Sequence, residues 1–255
     1  MKEEEDDFNF FDDFSSDEAL INNERRARMQ TSLKNKLAKF SNDPLKRTTQ
    51  ENRTVFNRNR LLDPGHFQTP QKRQHVFTQT ECNTILNQCR ELTTTEWTTA
   101  RHSAFPTTDI PIRDAIATLA YITDMVRERL FPQLASYFGF HPTRDLDFRD
   151  VFIVKYAADA QRGLKLHTDG CLVSFNILIS HQDDFEGGGT YFESIDDDVH
   201  LTQGDCVFHD ARIMHRGIDI TRGARYILVG FVDTVDTLAK DKMAPKKNLR
   251  EQHIL

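Results

Sequence analysis

Three residues in the second half of the chain have the types and spacing of metal ligands. His167 and Asp169 stand two residues apart in LKLHTDG, between the β-rich runs VFIVKY and CLVSFNILIS. On extended backbone, side chains two residues apart point to the same face, so the imidazole and the carboxylate would converge on one point. His215, in IMHRG, lies far along the chain on what would be another strand. Two histidines and one carboxylate form the ligand set of non-haem iron sites with open coordination positions.

These residues also have ordinary structural interpretations. A lone His-x-Asp is most often a surface pair or a cap. His209, in FHDARIMHRG, is the main alternative to His215 as the second histidine ligand. His209 and Asp210 could instead cap the end of a strand.

Arg225 follows His215 by ten residues. In ARYILVGFV, strand periodicity places Arg225 on one face with Ile227, Val229 and Phe231. A charged group on an apolar face is costly unless an anion meets it, and a guanidinium can hold a carboxylate through two hydrogen bonds. The alternative is an edge arginine whose head reaches water past the strand end. The position shortly after a candidate ligand favours an anion site.

Taken together, these segments resemble the 2-oxoglutarate and Fe(II)-dependent dioxygenases of the prolyl/lysyl hydroxylase group. The motifs that carry the resemblance are FIVKY before the His-x-Asp, FNILIS after it, the EGGGTYF turn, TRGARYILVGFVD and, upstream, FPTTDIPI. They are similar to the catalytic domain of the procollagen lysyl hydroxylases over about Phe77 to Asp233.

The resemblance implies His167, Asp169 and His215 as Fe(II) ligands. It implies that Arg225 binds the distal carboxylate of 2-oxoglutarate. The spacing to Arg225 favours His215 over His209. Fe(II), 2-oxoglutarate and O2 are the expected cofactors and co-substrates, with ascorbate as a further implied requirement.

Two further residues are assigned to the 2-oxoglutarate pocket by the same resemblance. They are Tyr156, at the end of FIVKY, and Asn176, in FNILIS. A tyrosine that ends a strand is also commonly a half-buried aromatic residue with a wet hydroxyl, and this interpretation of Tyr156 stays open.

The implied activity is hydroxylation of a C–H bond, on a lysine or proline of a protein or peptide, with release of succinate and CO2. One alternative is a nucleic-acid demethylase of the AlkB type, which a basic segment near the amino terminus motivates. Such enzymes typically carry a second arginine six residues after the first, where this chain has Phe231. The other alternative is a non-catalytic jelly-roll interaction module.

The segments that must position these residues predict an α+β fold. Short β-rich segments separated by Gly- and Asp-rich turns follow Val151, which favours an antiparallel double-stranded β-helix of the jelly-roll or cupin-like type. Two supporting helices are predicted before it. One opens at a Thr78-x-x-Glu81 capping box, and the other runs from Arg113 to about Tyr137, with Pro132 bending or dividing it.

Composition divides the 255 residues into three parts. Residues 1–70 are predicted to be a charged, largely disordered extension, with an acidic and aromatic head followed by a basic segment whose first half is helical. In this extension, Asp63-Pro-Gly predicts a turn. Residues 71–235 form the expected dioxygenase domain, and residues 236–255 form a basic tail. The formal net charge of -6 makes nucleic acid a weaker expected partner than a protein or peptide.

Several features bear on the compartment. No apolar run approaches the roughly 20 residues that span a bilayer, and the acidic amino terminus lacks a signal-peptide pattern. The four cysteines show no CxxC spacing and are expected to be thiols. We therefore expect a cytosolic or nuclear protein, which argues against collagen in the secretory pathway as its substrate. The sequence does not indicate an oligomeric state.

Overall fold

The computed structural model describes residues 16–92, 97–99, 101–102, 104–112 and 121–243. The chain divides into two compact units between Asn42 and Asp43. In the first unit, helix α1 (Ser16–Leu37) contains most of the predicted basic helix, with Lys34 and Lys36 in its last turn. The predicted acidic and aromatic head lies largely in residues 1–15, outside the described residues.

The second unit contains helices and antiparallel strands. Its helices are α2 (Thr49–Leu62), α3 (Pro64–Phe67), α4 (Gln79–Glu91), α5 (Tyr121–Arg129), α6 (Phe131–Phe138) and α7 (Val235–Met243), and a 3-10 turn spans Pro44–Lys46. Its strands are β1 (Gln71–Arg73), β2 (Asp109–Pro111), β3 (Leu146–Ala157), β4 (Val173–Leu178), β5 (Phe185–Gly187), β6 (Thr190–Phe192), β7 (Asp197–Val199), β8 (Cys206–Asp210), β9 (His215–Gly217) and β10 (Ile220–Thr234).

The strands form two antiparallel sheets. The larger sheet has the order β1-β8-β4-β10-β3-β2, with β5 also pairing with β10, and the smaller sheet has the order β7-β6-β9. Buried side chains of both sheets meet in one hydrophobic cluster, which includes Phe152, Val154 and Ile227 of the larger sheet and Phe192 of the smaller one. The α+β architecture therefore agrees with the sequence prediction.

Helices cover the other face of the larger sheet. Phe175 and Leu228 of the sheet share a second hydrophobic cluster with Phe56 of α2, Ile85 of α4 and Leu134 of α6. Because side chains alternate along a strand, each central strand contributes one face to the helix-covered core and the other to the space between the sheets.

The two predicted helices have identifiable starts and breaks. Helix α4 begins after Thr78, whose hydroxyl and Glu81 form the predicted capping box. Pro132 lies in the first turn of α6, where its missing N–H costs nothing. The predicted helix is divided just before this proline, between the end of α5 at Arg129 and the start of α6 at Phe131. Residues 113–120, the first part of the second predicted helix, lie outside the described residues. Asp109–Pro111, within the FPTTDIPI motif, is the edge strand β2.

The folded unit starts earlier in the chain than the boundary near residue 71 that composition predicts, since it begins at Asp43. Phe56 of α2 is fully buried, and its ring lies 5.1 Å from that of Phe67 and 5.4 Å from that of Phe138. The side chain of Asp63 accepts a hydrogen bond from the His66 N–H and caps α3, where the sequence predicts a turn. Burial of this aromatic cluster explains why residues 43–67 fold despite their charged composition.

Three arginines of the predicted basic segment are engaged within this unit. Arg47 donates to the carbonyl oxygen of Gly139 at 3.2 Å, and Arg53 pairs with Asp236 at 2.7 Å. Arg60 is buried. Part of the basic composition that suggested a nucleic-acid surface therefore serves internal contacts.

Three expectations concern the rest of the chain. Helix α7 forms at the start of the predicted basic tail, and residues 244–255 lie outside the described part. No helix of the described residues has both the length and the apolar character needed to cross a bilayer. The cysteines Cys82, Cys89, Cys171 and Cys206 are all free thiols.

Candidate active site

The structure brings His167, Asp169 and His215 together at one end of the space between the sheets. His167 and His215 form an isolated antiparallel bridge, in which each backbone N–H donates to the carbonyl oxygen of the other at 2.9 Å. One imidazole Nε2 lies 3.5 Å from Asp169 Oδ1 and the other 3.5 Å from Asp169 Oδ2. Ligand atoms from the three side chains all lie within 4.8 Å of one another.

Backbone carbonyls orient the two imidazole rings. His167 Nδ1 lies 2.7 Å from the carbonyl oxygen of Lys165, and His215 Nδ1 lies 2.9 Å from that of Ile213. A carbonyl oxygen can only accept, so each Nδ1 carries a proton and each Nε2 is left to face Asp169. Two nitrogen atoms and a carboxylate then converge on a space that suits a cation.

Asp169 is a carboxylate at neutral pH. Its burial would raise its pKa, but hydrogen bonding with His167, the nearby His215 and His209, and a hydrogen bond from Ser174 lower the pKa to about 2. The Ser174 hydroxyl donates to Asp169 Oδ2 at 2.5 Å. Ser174 was not predicted from the sequence, although strand period places it on the same face as Asn176.

His209 has a different position from the three converging residues. It lines the same cavity, and its ring centroid lies 4.5 Å from that of His215. Its Nδ1 lies 2.9 Å from the carbonyl oxygen of Asp210. Burial, followed by the charge of His215, lowers its pKa to about 3, so the ring is neutral. Among the described residues, His209 is not part of the converging ligand group.

Arg225 lies in the same cavity, on β10 opposite Tyr156 of β3. The arginine is 2% exposed, and burial lowers its pKa. Its Nη1 atom is buried and has no hydrogen-bond partner among the described residues. Because a buried charge without a partner is costly, this side chain could hold an anion in the cavity.

The two other predicted pocket residues line the same cavity as Arg225. The guanidinium carbon of Arg225 is 5.8 Å from the centre of the Tyr156 ring. Burial raises the pKa of Tyr156 to about 12, so its phenol is neutral. The side-chain oxygen of Asn176 is buried without a hydrogen-bond partner among the described residues. The open interpretation of Tyr156 as a half-exposed aromatic does not fit its 3% exposure.

One cavity of about 410 Å³ connects these groups. Two histidines and an aspartate converge in it, and a buried arginine with an unpaired donor lines the same space. This volume is in the range of small-molecule sites. The cavity therefore has room and donor groups for a cation and a small anionic molecule at the same time.

Curated relatives match about half of this chain or more. The rat multifunctional procollagen lysine hydroxylase and glycosyltransferase LH3 is 32% identical over 138 residues, which is 50% of this chain and 18% of that protein. Human procollagen-lysine,2-oxoglutarate 5-dioxygenase 2 is 25% identical over 171 residues, or 62% of this chain and 23% of that protein. The chain resembles the procollagen lysyl hydroxylases. It spans about a fifth of their length, and no family model matches it.

Solved structures confirm the fold. A 2OG-Fe(II) oxygenase family oxidoreductase from Burkholderia pseudomallei has a TM-score of 0.51 and 13% identity, over 74% of this chain and 91% of that one. The α-ketoglutarate-dependent carbocyclase SnoK from nogalamycin biosynthesis has a TM-score of 0.52 and 13% identity, over 81% of this chain and 95% of that one. The predicted α+β jelly roll is therefore confirmed, as is the predicted resemblance to the 2-oxoglutarate and Fe(II)-dependent dioxygenases.

The EGGG sequence, part of one motif that carries the resemblance to lysyl hydroxylases, forms a tight turn beside Arg225. Gly187, Gly188 and Gly189 all have positive φ, which residues with a Cβ rarely adopt. A Cβ placed on Gly188 would lie 3.1 Å from Cδ of Arg225. The glycines thus let the backbone approach the arginine side chain closely.

Three aromatic rings that line the cavity, one of them packed against His167, were not predicted as a group from the sequence. Phe105 lies with its ring centroid 4.9 Å from that of His167, and Phe152 and Phe231 pack with centroids 5.3 Å apart. Phe231 could be placed on this face by strand period, but Phe105 comes from a loop whose spacing carries no periodic signal. All three rings line the cavity.

Proposed function

We propose that the protein is an Fe(II)- and 2-oxoglutarate-dependent dioxygenase that hydroxylates a C–H bond of lysine or proline in a protein or peptide. The observation that carries this proposal is that one cavity brings together a cation-binding donor set and a buried arginine. The ligand atoms of His167, Asp169 and His215 converge, and Nη1 of Arg225 is a buried donor with no hydrogen-bond partner among the described residues. Fe(II) would suit the first group and a carboxylate of 2-oxoglutarate the second.

The donor set fits Fe(II). His167, Asp169 and His215 would hold the ion, since two imidazoles and one carboxylate suit this metal and leave coordination positions open. With both bound, Fe(II) and 2-oxoglutarate would supply an O2-dependent reaction, in which one oxygen atom enters the succinate formed with CO2 and the other converts a substrate C–H bond into C–OH.

The protein's own residues orient and isolate this centre. The carbonyl oxygens of Lys165 and Ile213 fix the two imidazoles, and Ser174 holds one carboxylate oxygen of Asp169. Such outer contacts keep ligands in place before the ion binds. At the other end, Arg225 would bind the distal carboxylate of 2-oxoglutarate, and Tyr156 and Asn176 would line that part of its pocket.

The choice of a protein or peptide substrate rests on the relatives and on the charges of this chain. These relatives are named for the hydroxylation of procollagen lysine. In this chain, Arg47, Arg53 and Arg60 make internal contacts, which leaves less basic surface for nucleic acid. We propose that Phe105, Phe152 and Phe231 contact the substrate side chain. Ascorbate as a reductant and a cytosolic or nuclear location stay predictions.

The first experiment adds Fe(II) and then 2-oxoglutarate to the purified protein without oxygen and records the visible absorption band of the chelate. Asp169→Ala should abolish the band. Asp183→Ala, at an aspartate with a 91% exposed side chain, is the matched control and should keep it. No band in folded wild-type protein would refute the proposal.

A second experiment addresses the substrate. Peptide libraries that contain lysine or proline are incubated with the loaded protein, and a gain of one oxygen atom is sought by mass spectrometry. Oxygen gained on lysine alone would assign a lysyl hydroxylase, and oxygen gained on proline alone a prolyl hydroxylase.

A further inference from the structure

One buried arginine connects helix α2 with the strand ends beside the metal-ligand residues. The side chain of Arg60 is 7% exposed, and its Nε and Nη2 donate to the two carboxylate oxygens of Asp210 at 2.5 and 2.7 Å. Its Nη2 also donates to the carbonyl oxygen of Leu172 at 3.0 Å, and its Nη1 to the side-chain oxygen of Asn57 at 3.1 Å. Asp210 is the last residue of β8, and Leu172 directly precedes β4. A single guanidinium therefore joins the ends of two neighbouring strands.

Both strand ends lead directly to proposed ligands. Leu172 is three residues after Asp169, and Asp210 is five residues before His215. The backbone N–H of Asp169 donates to the carbonyl oxygen of Ala211 at 2.9 Å, and the N–H of Ala211 donates back to the carbonyl oxygen of Leu172 at 3.3 Å. The two loops are thus hydrogen-bonded to each other.

The carboxylate of Asp210 also shapes its own loop. Its Oδ1 accepts a hydrogen bond from the backbone N–H of Arg212 at 2.9 Å, on the path toward His215. The side chain of Asp210 is only 4% exposed, so it depends on Arg60 for charge compensation. Without Arg60 a buried carboxylate would lose its counter-charge, and the loop would have to move to hydrate it.

We infer that Arg60 is a positioning residue for the metal centre, acting through Asp210 and Leu172 on the loops that carry Asp169 and His215. This inference rests on the proposed function, because it assumes that these residues hold a metal. It assigns to α2, a helix in the segment that composition predicts to be an extension, a role in metal binding.

A matched pair of arginines on α2 separates positioning from simple stabilisation. Arg53 pairs with Asp236 of α7 at 2.7 Å, which is a contact between helices that does not involve the ligand loops. Arg60→Met and Arg53→Met each remove one ion pair from the same helix. Arg60→Lys keeps the charge but cannot form the two-point contact with a carboxylate, and it provides a milder variant if Arg60→Met does not fold.

The experiment measures Mn(II) affinity by the electron paramagnetic resonance signal of the free ion, well below the melting temperature of each variant, with melting recorded separately. We expect Arg60→Met to lose about 10- to 100-fold in Mn(II) affinity, as is typical of residues that orient metal ligands. Arg60→Lys should show a smaller loss, and Arg53→Met should bind as the wild type does even if its melting temperature falls.

The outcomes distinguish this inference from the proposed function. A folded Arg60→Met or Arg60→Lys protein with wild-type affinity would refute the positioning role alone. Equal losses in the Arg60 and Arg53 variants would also refute it, since they would indicate general destabilisation. Absence of Mn(II) binding in the wild type would overturn the proposed function and the inference together.

Discussion

Replacing Arg225 by methionine should make the ligand-free protein no less stable while it removes binding of 2-oxoglutarate. Arg225 is 2% exposed, and its Nη1 has no partner among the described residues. An unsatisfied buried polar group costs about 1 to 3 kcal/mol, and more when it is charged. Methionine has a flexible apolar chain that can fill much of the same space. We therefore expect the free energy of unfolding to rise by about 1 kcal/mol, because removal of the unpaired charge outweighs imperfect packing.

Ligand binding should change in the opposite direction. Truncating one partner of a buried, hydrogen-bonded charge pair costs about 2 to 5 kcal/mol. A loss of about 3 kcal/mol corresponds to roughly a hundredfold weaker binding. Wild-type protein with Mn(II) should therefore melt at a higher temperature when 2-oxoglutarate is added, and Arg225→Met should not respond at the same concentration.

The assay is thermal unfolding with and without 2-oxoglutarate, with Mn(II) present throughout and succinate as a weaker ligand for comparison. An equal ligand-dependent rise in both proteins would refute the role of Arg225 as the dicarboxylate partner. A fall of several kcal/mol in the free energy of unfolding of ligand-free Arg225→Met would refute the stability prediction, because it would mean that Arg225 is hydrogen-bonded or paired within the protein.

Three further outcomes follow from the structure. Deleting residues 1–42 should leave the melting temperature and metal binding unchanged. Deleting residues 1–60 should prevent folding, because it removes Phe56 from the core and loss of such a ring costs about 3 to 5 kcal/mol. A folded protein that lacks residues 1–60 would contradict this. Gly188→Ala should weaken 2-oxoglutarate binding and spare Mn(II) binding in titrations of both ligands, because the residue has a φ of 73° and its new methyl would lie 3.1 Å from Cδ of Arg225, the proposed partner of the dicarboxylate. The pKa of Glu81 is lowered to about 2, first by a hydrogen bond from an arginine of α5, so its stabilisation is present above the unfolded pKa of about 4.3 and is lost as the pH falls toward 2. In denaturant unfolding between these pH values, the free energy of unfolding of Glu81→Gln should depend less on pH than that of the wild type. An identical pH dependence would contradict the role of the Glu81 carboxylate.

Local periodicity was sufficient to place the residues of the candidate site on their faces. The alternation in ARYILVGFV puts Arg225, Ile227 and Val229 on one side of a strand, and in the structure all three line the cavity. The His-x-Asp spacing likewise brings His167 and Asp169 to one point. Both depend on backbone geometry within a few residues, which a sequence reveals directly.

The start of the folded unit depends on contacts that are distant in sequence and could not be predicted in the same way. Arg60 and its partner Asp210 are 150 residues apart, and Phe56 meets the aromatic residues of α6 only in the tertiary structure. In the amino-acid composition, Arg60 is one more charge in a basic segment. Composition cannot show that this charge is neutralised by Asp210 in a buried site, so the segment was predicted to be an extension.

The two faces of β10 contact different parts of the protein. Tyr226 and Leu228 belong to the core beneath the helices, whereas Ile227 and Val229, with Phe231, face the cavity. Substitutions on the cavity face change its shape without removing side chains from the helix-covered core. Ile227 also packs in the hydrophobic cluster between the sheets, whereas Val229 and Phe231 are only partly buried. These two positions therefore allow the shape of the cavity, and with it the proposed substrate preference, to change at the least cost to the fold.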